Sequence, residues 1–271
     1  MGTFFVAHGL LAHPGVGIVR TKGGVVYFTD LSHVWSLSPR GEKTIAVRNV
    51  HTHELYLDEN GDLFGEHLWY EGDATKKWGY RVWRLGADGT LSDVVTAREG
   101  FRTDFSFVRD ASGTHYFSEV EKRDTLFRKS PGRPAEVMAR GFTDIRWITA
   151  APNGTVYLVD RRDVVKVTPD GRRRRIAADL SKKRWFRDER HLVMGIWLDA
   201  EENVYVAVPG DGAVKRISKD GRVATVVTSR FPWAPSGGLV TPSGDLYVLE
   251  YSKTNAVRVR RVAKDAVETI Y

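Results

Sequence analysis

Aligned on itself, the chain repeats one motif six times, and this repeat restricts the fold more than any other feature of the sequence. Each copy is a short apolar strand, a turn, and a second strand carrying an aromatic residue. The copies are VGIVRTKGGVVYFTD (16–30), HELYLDENGDLFGEH (53–67), FSFVRDASGTHYFSE (105–119), RWITAAPNGTVYLVD (146–160), MGIWLDAEENVYVAV (194–208) and SGGLVTPSGDLYVLE (236–250). They align without a gap and bring Tyr27, Phe64, Tyr116, Tyr157, Tyr205 and Tyr247 into one column. The mean period is about 44 residues, in the range of propeller blades. Between copies run a third and usually a fourth strand, joined by pairs such as Asp170-Gly171 and Asp220-Gly221. Glycine in such pairs supplies the positive φ of a tight hairpin. Four strands per period, six times over, predict an all-β six-bladed β-propeller with four antiparallel strands per blade.

The reading treats 1–271 as one domain, with blades starting near 16, 53, 105, 146, 194 and 236. Thr3–Ala7, within 1–15, and residues 266–270 are both candidates for the strand that closes the ring. Arg172–Arg175 falls on the outermost strand of blade 4, where charge deters edge-to-edge pairing.

The segment Gly195–Ala207, reading G-I-x-L-D-x-x-x-N-V-Y-V-A, resembles an NHL-type repeat. It is equally similar to the gluconolactonase and regucalcin family of six-bladed propellers. The resemblance covers residues 16–271. It implies the fold far more firmly than an activity, because this architecture carries lactonases, lyases, a synthase and scaffolds. In gluconolactonase-like propellers a Glu, an Asn and an Asp at funnel positions hold a metal. The matching column here reads Val16, His53, Phe105, Arg146, Met194 and Ser236, with no Asp, Asn or Glu. Lactonase chemistry on a hard oxygen-bound cation is therefore not expected.

His-Glu-Leu-Tyr-Leu-Asp (53–58) resembles the His-Gly-Leu-x-Ile-Asp segment of the propeller lyases, which include peptidyl-hydroxyglycine amidating lyase and virginiamycin B lyase. That resemblance implies a histidine facing the funnel and, in the amidating lyase, a bound zinc. His51 lies two residues from His53, so both can point to one side of an extended strand. His51, His53 and His191 form the candidate set for zinc or another divalent metal. A metal-free arrangement uses His53 and His191 with Asp104 and Arg146. In it a histidine acts as base, an aspartate orients it, and the arginine steadies a developing oxyanion. His51, Asp144, Trp233, Ser236, Trp69 and Trp185 are the expected substrate-binding residues. The acids that end the second strand (Asp30, Glu119, Asp160 and Glu250) are read as caps of the hairpin turn.

Strand alternation decides which face works. First-to-second and third-to-fourth turns lie on one face and are tight. The other face carries the hairpin Glu66–Tyr80 and the connection 178–193, with Trp69, Trp78 and Trp185, and the site is expected there. The net charge of +7 is local. Residues 161–190 hold twelve Lys or Arg against five acids, and the rest of the chain balances.

The expected function is lyase, isomerase or hydrolase chemistry on a small, anionic organic molecule. The alternative is a binding module using the basic, aromatic loop 178–193 for a protein, RNA or anionic ligand. Charge confined to one segment disfavours nucleic acid. There is no apolar run of the length that spans a bilayer, and a monomer is expected. The start, Met1–Val6, lacks a basic lead, so a cytoplasmic location is expected. There are no cysteines, which excludes disulfides and thiolate chemistry. P-loop, Rossmann and G-x-S-x-G motifs are absent as well.

Overall fold

The computed structural model describes residues 14–100, 106–182, 191–265 and 267–271. It is a six-bladed β-propeller. Its blades cover residues 18–48, 55–99, 106–140, 145–177, 196–228 and 233–270 in chain order. Five blades are four-stranded antiparallel sheets whose strands follow one another from the axis outward. In blade 3 the strands His115–Glu119, Lys122–Lys129 and Glu136–Arg140 form the sheet. Its innermost strand is reduced to a bridge from Arg109 to His115 and a hydrogen bond from the Tyr116 N–H to the Val108 carbonyl. No α-helix occurs among the described residues, so none long and apolar enough to cross a membrane does.

The repeat column is a register column. Val19 pairs with Tyr27, Tyr56 with Phe64, Thr149 with Tyr157, Trp197 with Tyr205 and Leu239 with Tyr247. The six turns between first and second strands share one hydrogen-bond pattern, from Thr21–Val25 to Thr241–Asp245. Their fourth residue has positive φ. It is glycine in five blades and Glu202, at φ 59°, in blade 5. There Asn203 and Asp199 bond side chain to side chain and backbone to side chain, which holds the strained turn. The outermost strand pairs through a bulge in blades 1 to 5, which twists the exposed edge away from other chains. Arg173–Ala177 is such an edge, as expected.

The core lies between blades. Buried apolar clusters fill the joints between blades 1 and 2, 3 and 4, 4 and 5, 5 and 6, and 6 and 1. Among the described residues the joint between blades 2 and 3 has no such cluster. At the C-terminus Glu268–Ile270 is the fourth strand of blade 6, and Tyr271 exchanges both backbone hydrogen bonds with Val259. Thr3–Ala7 lies outside the described residues.

The six inner strands do not surround the axis evenly. The N–H groups of Val16 and Gly17 donate to the His53 carbonyl, and the Gly195 N–H donates to the Ser236 carbonyl. These backbone contacts zip the inner-strand starts of blades 1 and 2 and of blades 5 and 6. A Cβ on Gly195 would lie 2.6 Å from the Ser236 oxygen, and one on Gly237 would strike the Val16 carbonyl. Glycine is needed at both positions for the backbones to approach this closely. The ring is therefore closed on the side of blades 5, 6 and 1, and space remains on the side of blades 2, 3 and 4.

Candidate functional site

That space is a cavity of about 220 Å³ on the decorated face, lined by residues of blades 2, 3 and 4. Its charged lining is Glu54 and Glu66 from blade 2, Glu119 and Arg123 from blade 3, and Arg146 from blade 4. A second cavity of about 260 Å³ runs along the axis and is lined from all six blades. The two share Glu54, Val108 and Ile148.

Glu66 lies on the second strand of blade 2, Leu63–Tyr70, and is 2% exposed. Its backbone is pinned from behind, because the indole of fully buried Trp83 and the hydroxyl of Thr52 both donate to its carbonyl, at 3.1 and 2.5 Å. Gly65 leaves room for the Trp83 ring at this point. The carboxylate turns to His53: Oε1 accepts the His53 backbone N–H at 2.8 Å and lies 3.4 Å from Nδ1. A carboxylate held this way has a histidine beside it for proton exchange and reaches the cavity with the rest of the group.

The other wall is an ion cluster. Arg146 Nε donates to Asp144 Oδ2 at 2.9 Å, and Arg123 Nη1 approaches Oδ1 at 3.5 Å. The Arg146 side chain is 8% exposed, so its guanidinium is fixed rather than waving in solvent. Asp160 accepts the backbone N–H groups of Thr143 and Asp144 at 2.9 and 2.7 Å and so sets the Asp144 backbone. Asp144 thus orients Arg146. The acid beside His53 is Glu66.

Glu66 is absent from the residues expected on sequence grounds. A signal for it exists: its column in the repeat reads Thr29, Glu66, Ser118, Val159, Ala207 and Leu249, and Glu66 is the one charged member. The acids one column on have mixed roles. Asp30 caps its hairpin as expected, accepting from Ser32, His33 and the Trp35 indole. Asp160 ties the blade connection, Glu119 pairs with Lys122 at 2.8 Å, and Glu250 is fully buried among arginines.

His51 and His53 lie together as expected, with ring centroids 4.7 Å apart. The His51 backbone N–H donates to His67 Nδ1 at 2.9 Å, which places the His67 proton on Nε2, and His67 stacks on Trp69. Trp69 thereby packs the hairpin, over Gly79, and lines neither cavity. Ser236 is 1% exposed and donates to the Leu249 carbonyl, and Met194 is wholly buried in the joint between blades 5 and 6. Both are shut away because the inner strands of those blades touch. Trp233 stacks under the Arg258 guanidinium at 4.1 Å at the blade 6 rim, away from both cavities. His191 is described but lines neither cavity. Asp104 and Trp185 lie outside the described residues. So does the middle of the basic loop, residues 183–190. Its stem is fastened by Asp211, which accepts from Ser181, Lys182 and Lys215, and by Lys215, which also reaches the Leu180 carbonyl.

Among the described residues, no three His, Cys, Asp or Glu side chains are placed to hold a metal ion, the set His51, His53 and His191 included. The Glu, Asn and Asp set of gluconolactonase-like propellers does not fit here either, since Arg146 and buried Met194 and Ser236 stand in its column.

Burial pushes the His51 and His67 imidazoles below their ordinary value of 6.5, with the neighbouring His53 adding to the effect at His51 and Arg81 at His67. The unfolded chain then takes up protons that the fold refuses. Stability is full above pH 6.5 and falls as the pH drops from there toward the lower folded values. The melting temperature, followed by circular dichroism, is expected to fall between about pH 7.5 and pH 5. The fall should be shallower in a His51→Gln/His67→Gln double variant. An unchanged slope in that variant would remove the two histidines as its cause.

The chain is thus a six-bladed propeller with an off-axis polar cavity on its decorated face. Solved structures share this fold: a virginiamycin B lyase from Staphylococcus aureus is 12% identical, with 95% of this chain and 84% of that one covered, at TM-score 0.55. A calcium-binding regucalcin from Agrobacterium tumefaciens is 16% identical over 89% and 82%, at 0.58, and a gluconolactonase from Xanthomonas campestris 14% over 86% and 82%, at 0.60. These fit the resemblance read in the repeat, and at such identities they show the fold alone. No protein-family model and no curated protein matches the sequence.

Proposed function

We propose that the protein is an enzyme performing general acid–base chemistry on a small organic molecule with an anionic group, in the cavity between blades 2, 3 and 4. The observation that supports it is buried Glu66 on one wall, backed by His53, which itself lines neither cavity, with the Asp144-clamped Arg146 on another. A fixed guanidinium holds a carboxylate through charge-assisted hydrogen bonds. It also faces the negative charge that grows there when a proton leaves the adjacent carbon. Glu66 takes that proton, and the electron pair passes into the enolate facing Arg146. Return of the proton to another carbon is an isomerisation. Departure of a β-substituent with the electron pair is an elimination, the proton taken by Glu66 passing to the leaving group. Several solved propellers of this fold are enzymes, a lyase and a gluconolactonase among them, which agrees with the reading.

The test is hydrogen exchange in D₂O. Short-chain 2-oxo and 3-hydroxy carboxylates are incubated with the protein, and loss of the C3–H signal of the former or the C2–H signal of the latter is followed by proton NMR. Enzyme-dependent exchange or elimination is expected with some of these, reduced at least about 100-fold in Arg146→Met. No exchange with any of them, or rates indifferent to Arg146→Met, would count against the proposal.

A further inference from the structure

The polar cavity has an inner end that the acid–base reading does not use. Innermost strands start on the decorated face and run inward. Along Ile145–Ala150 of blade 4, Ile148 therefore lies about 6–7 Å deeper than Arg146. Val108 lies inward of Ser106 on blade 3 in the same way, and all four residues line the cavity. Val108 and Ile148 are backed by the apolar cluster of the joint between blades 3 and 4. Tyr116, beside them, has its hydroxyl engaged by Asp110 Oδ2 at 2.7 Å, so its ring completes an apolar surface. Val108, Ile148 and Glu54 also border the axial cavity, so these side chains stand where the two cavities meet. The Glu54 carboxylate repels an anionic head group and favours its placement at Arg146, which leaves the hydrocarbon end of a ligand to meet Val108 and Ile148. At about 220 Å³ the polar cavity alone is smaller than pockets that take drug-sized molecules, whereas the two cavities together are not.

We propose that Val108 and Ile148 set the length of the substrate by closing the inner end of the polar cavity. The depth from Arg146 to Ile148 then fits an aliphatic acid of about four to six carbons, its carboxylate at Arg146 and its chain pointing inward. A longer chain finds no further apolar surface, and its excess stays in water. The placing of the carboxylate rests on the acid–base reading of this cavity, whereas the inner wall does not.

The probes are the saturated straight-chain carboxylates from propanoate to decanoate, and calorimetry on the whole protein reads their binding without any turnover. In the wild type, affinity is expected to rise about three- to fourfold per methylene up to about hexanoate and then to level off. In Ile148→Ala the short acids should bind more weakly, but the rise should continue through octanoate, because the space of the axial cavity is opened to the chain. A wild-type series that keeps rising to decanoate, or is flat from propanoate on, refutes the inner wall. So does the absence of binding by every member, or an Ile148→Ala series that levels off where the wild type does. The wild-type series decides even where Ile148→Ala fails to fold, and Val108→Ala, a smaller truncation of the same wall, should also extend the rise. If the plateau is found but Arg146→Met binds hexanoate as tightly as wild type, the wall stands and the placing of the carboxylate at Arg146 fails.

Discussion

Glu66→Gln is expected to lower the exchange or turnover rate by about 10²–10⁴-fold while leaving binding nearly intact. Gln keeps the acceptor that the His53 N–H uses at 2.8 Å, and the Trp83 and Thr52 bonds to the Glu66 carbonyl are untouched. The buried shape is preserved. The ability to take a proton is lost, and no other acid of the cavity occupies the same position: Glu119 is drawn to Lys122 at 2.8 Å, on blade 3. Glu119→Gln is the control and should leave the rate close to wild type. The effect should lie in kcat rather than KM, because Arg146 and Arg123, not Glu66, hold the anionic group. Kinetics of both variants in the D₂O assay, with melting curves to confirm folding, make the comparison. A Glu66→Gln rate within a few-fold of wild type would remove Glu66 as the base.

The sequence makes the propeller legible because strand pairing is local within a blade. Every hairpin is signalled by its own turn residues, and the aromatic column is reproduced as register, as with Trp197 opposite Tyr205. The site was less legible because it breaks the repeat's symmetry. Reading all six inner-strand starts as equivalent treats Ser236 like Arg146, although Arg146 lines the cavity and Ser236 is shut away. Which starts face open space depends on contacts between blades, such as the Gly195 N–H bonding the Ser236 carbonyl, and such contacts have no local pattern. Asp144, expected among the substrate-binding residues, instead clamps Arg146. Two residues from Arg146 along the chain, it folds back on the guanidinium. Glu66 escaped because it stands one position before the acid column, its place there taken by His67.

A second large effect is expected at Glu250, where the chemistry is structural. Its side chain is wholly buried, yet it carries a charge-bearing group. Oε2 accepts from Arg258 Nε at 2.7 Å, and Oε1 accepts from the Ser229 hydroxyl at 2.6 Å and lies 3.3 Å from Arg260 Nη2. Arg260 is itself only 5% exposed and also reaches the Thr228 carbonyl. One carboxylate thus joins the second and third strands of blade 6 to the end of blade 5. Glu250→Ala would leave buried Arg260 with only the Thr228 carbonyl and the half-exposed Glu268 carboxylate at 3.6 Å, and Arg258 with the Trp233 ring at 4.1 Å. Breaking a buried pair from one side costs about 3–5 kcal/mol, because the surviving charge stays desolvated. For a chain of this size that is a fall in melting temperature of roughly 6–20 °C. Removing charge from both sides should cost less: Glu250→Leu/Arg260→Met is expected to melt above Glu250→Ala, since no buried cation is left bare. Scanning calorimetry of the single and double variants separates the two cases. A double variant no more stable than Glu250→Ala would mean that the loss comes from packing and the Ser229 bond rather than from the stranded charge.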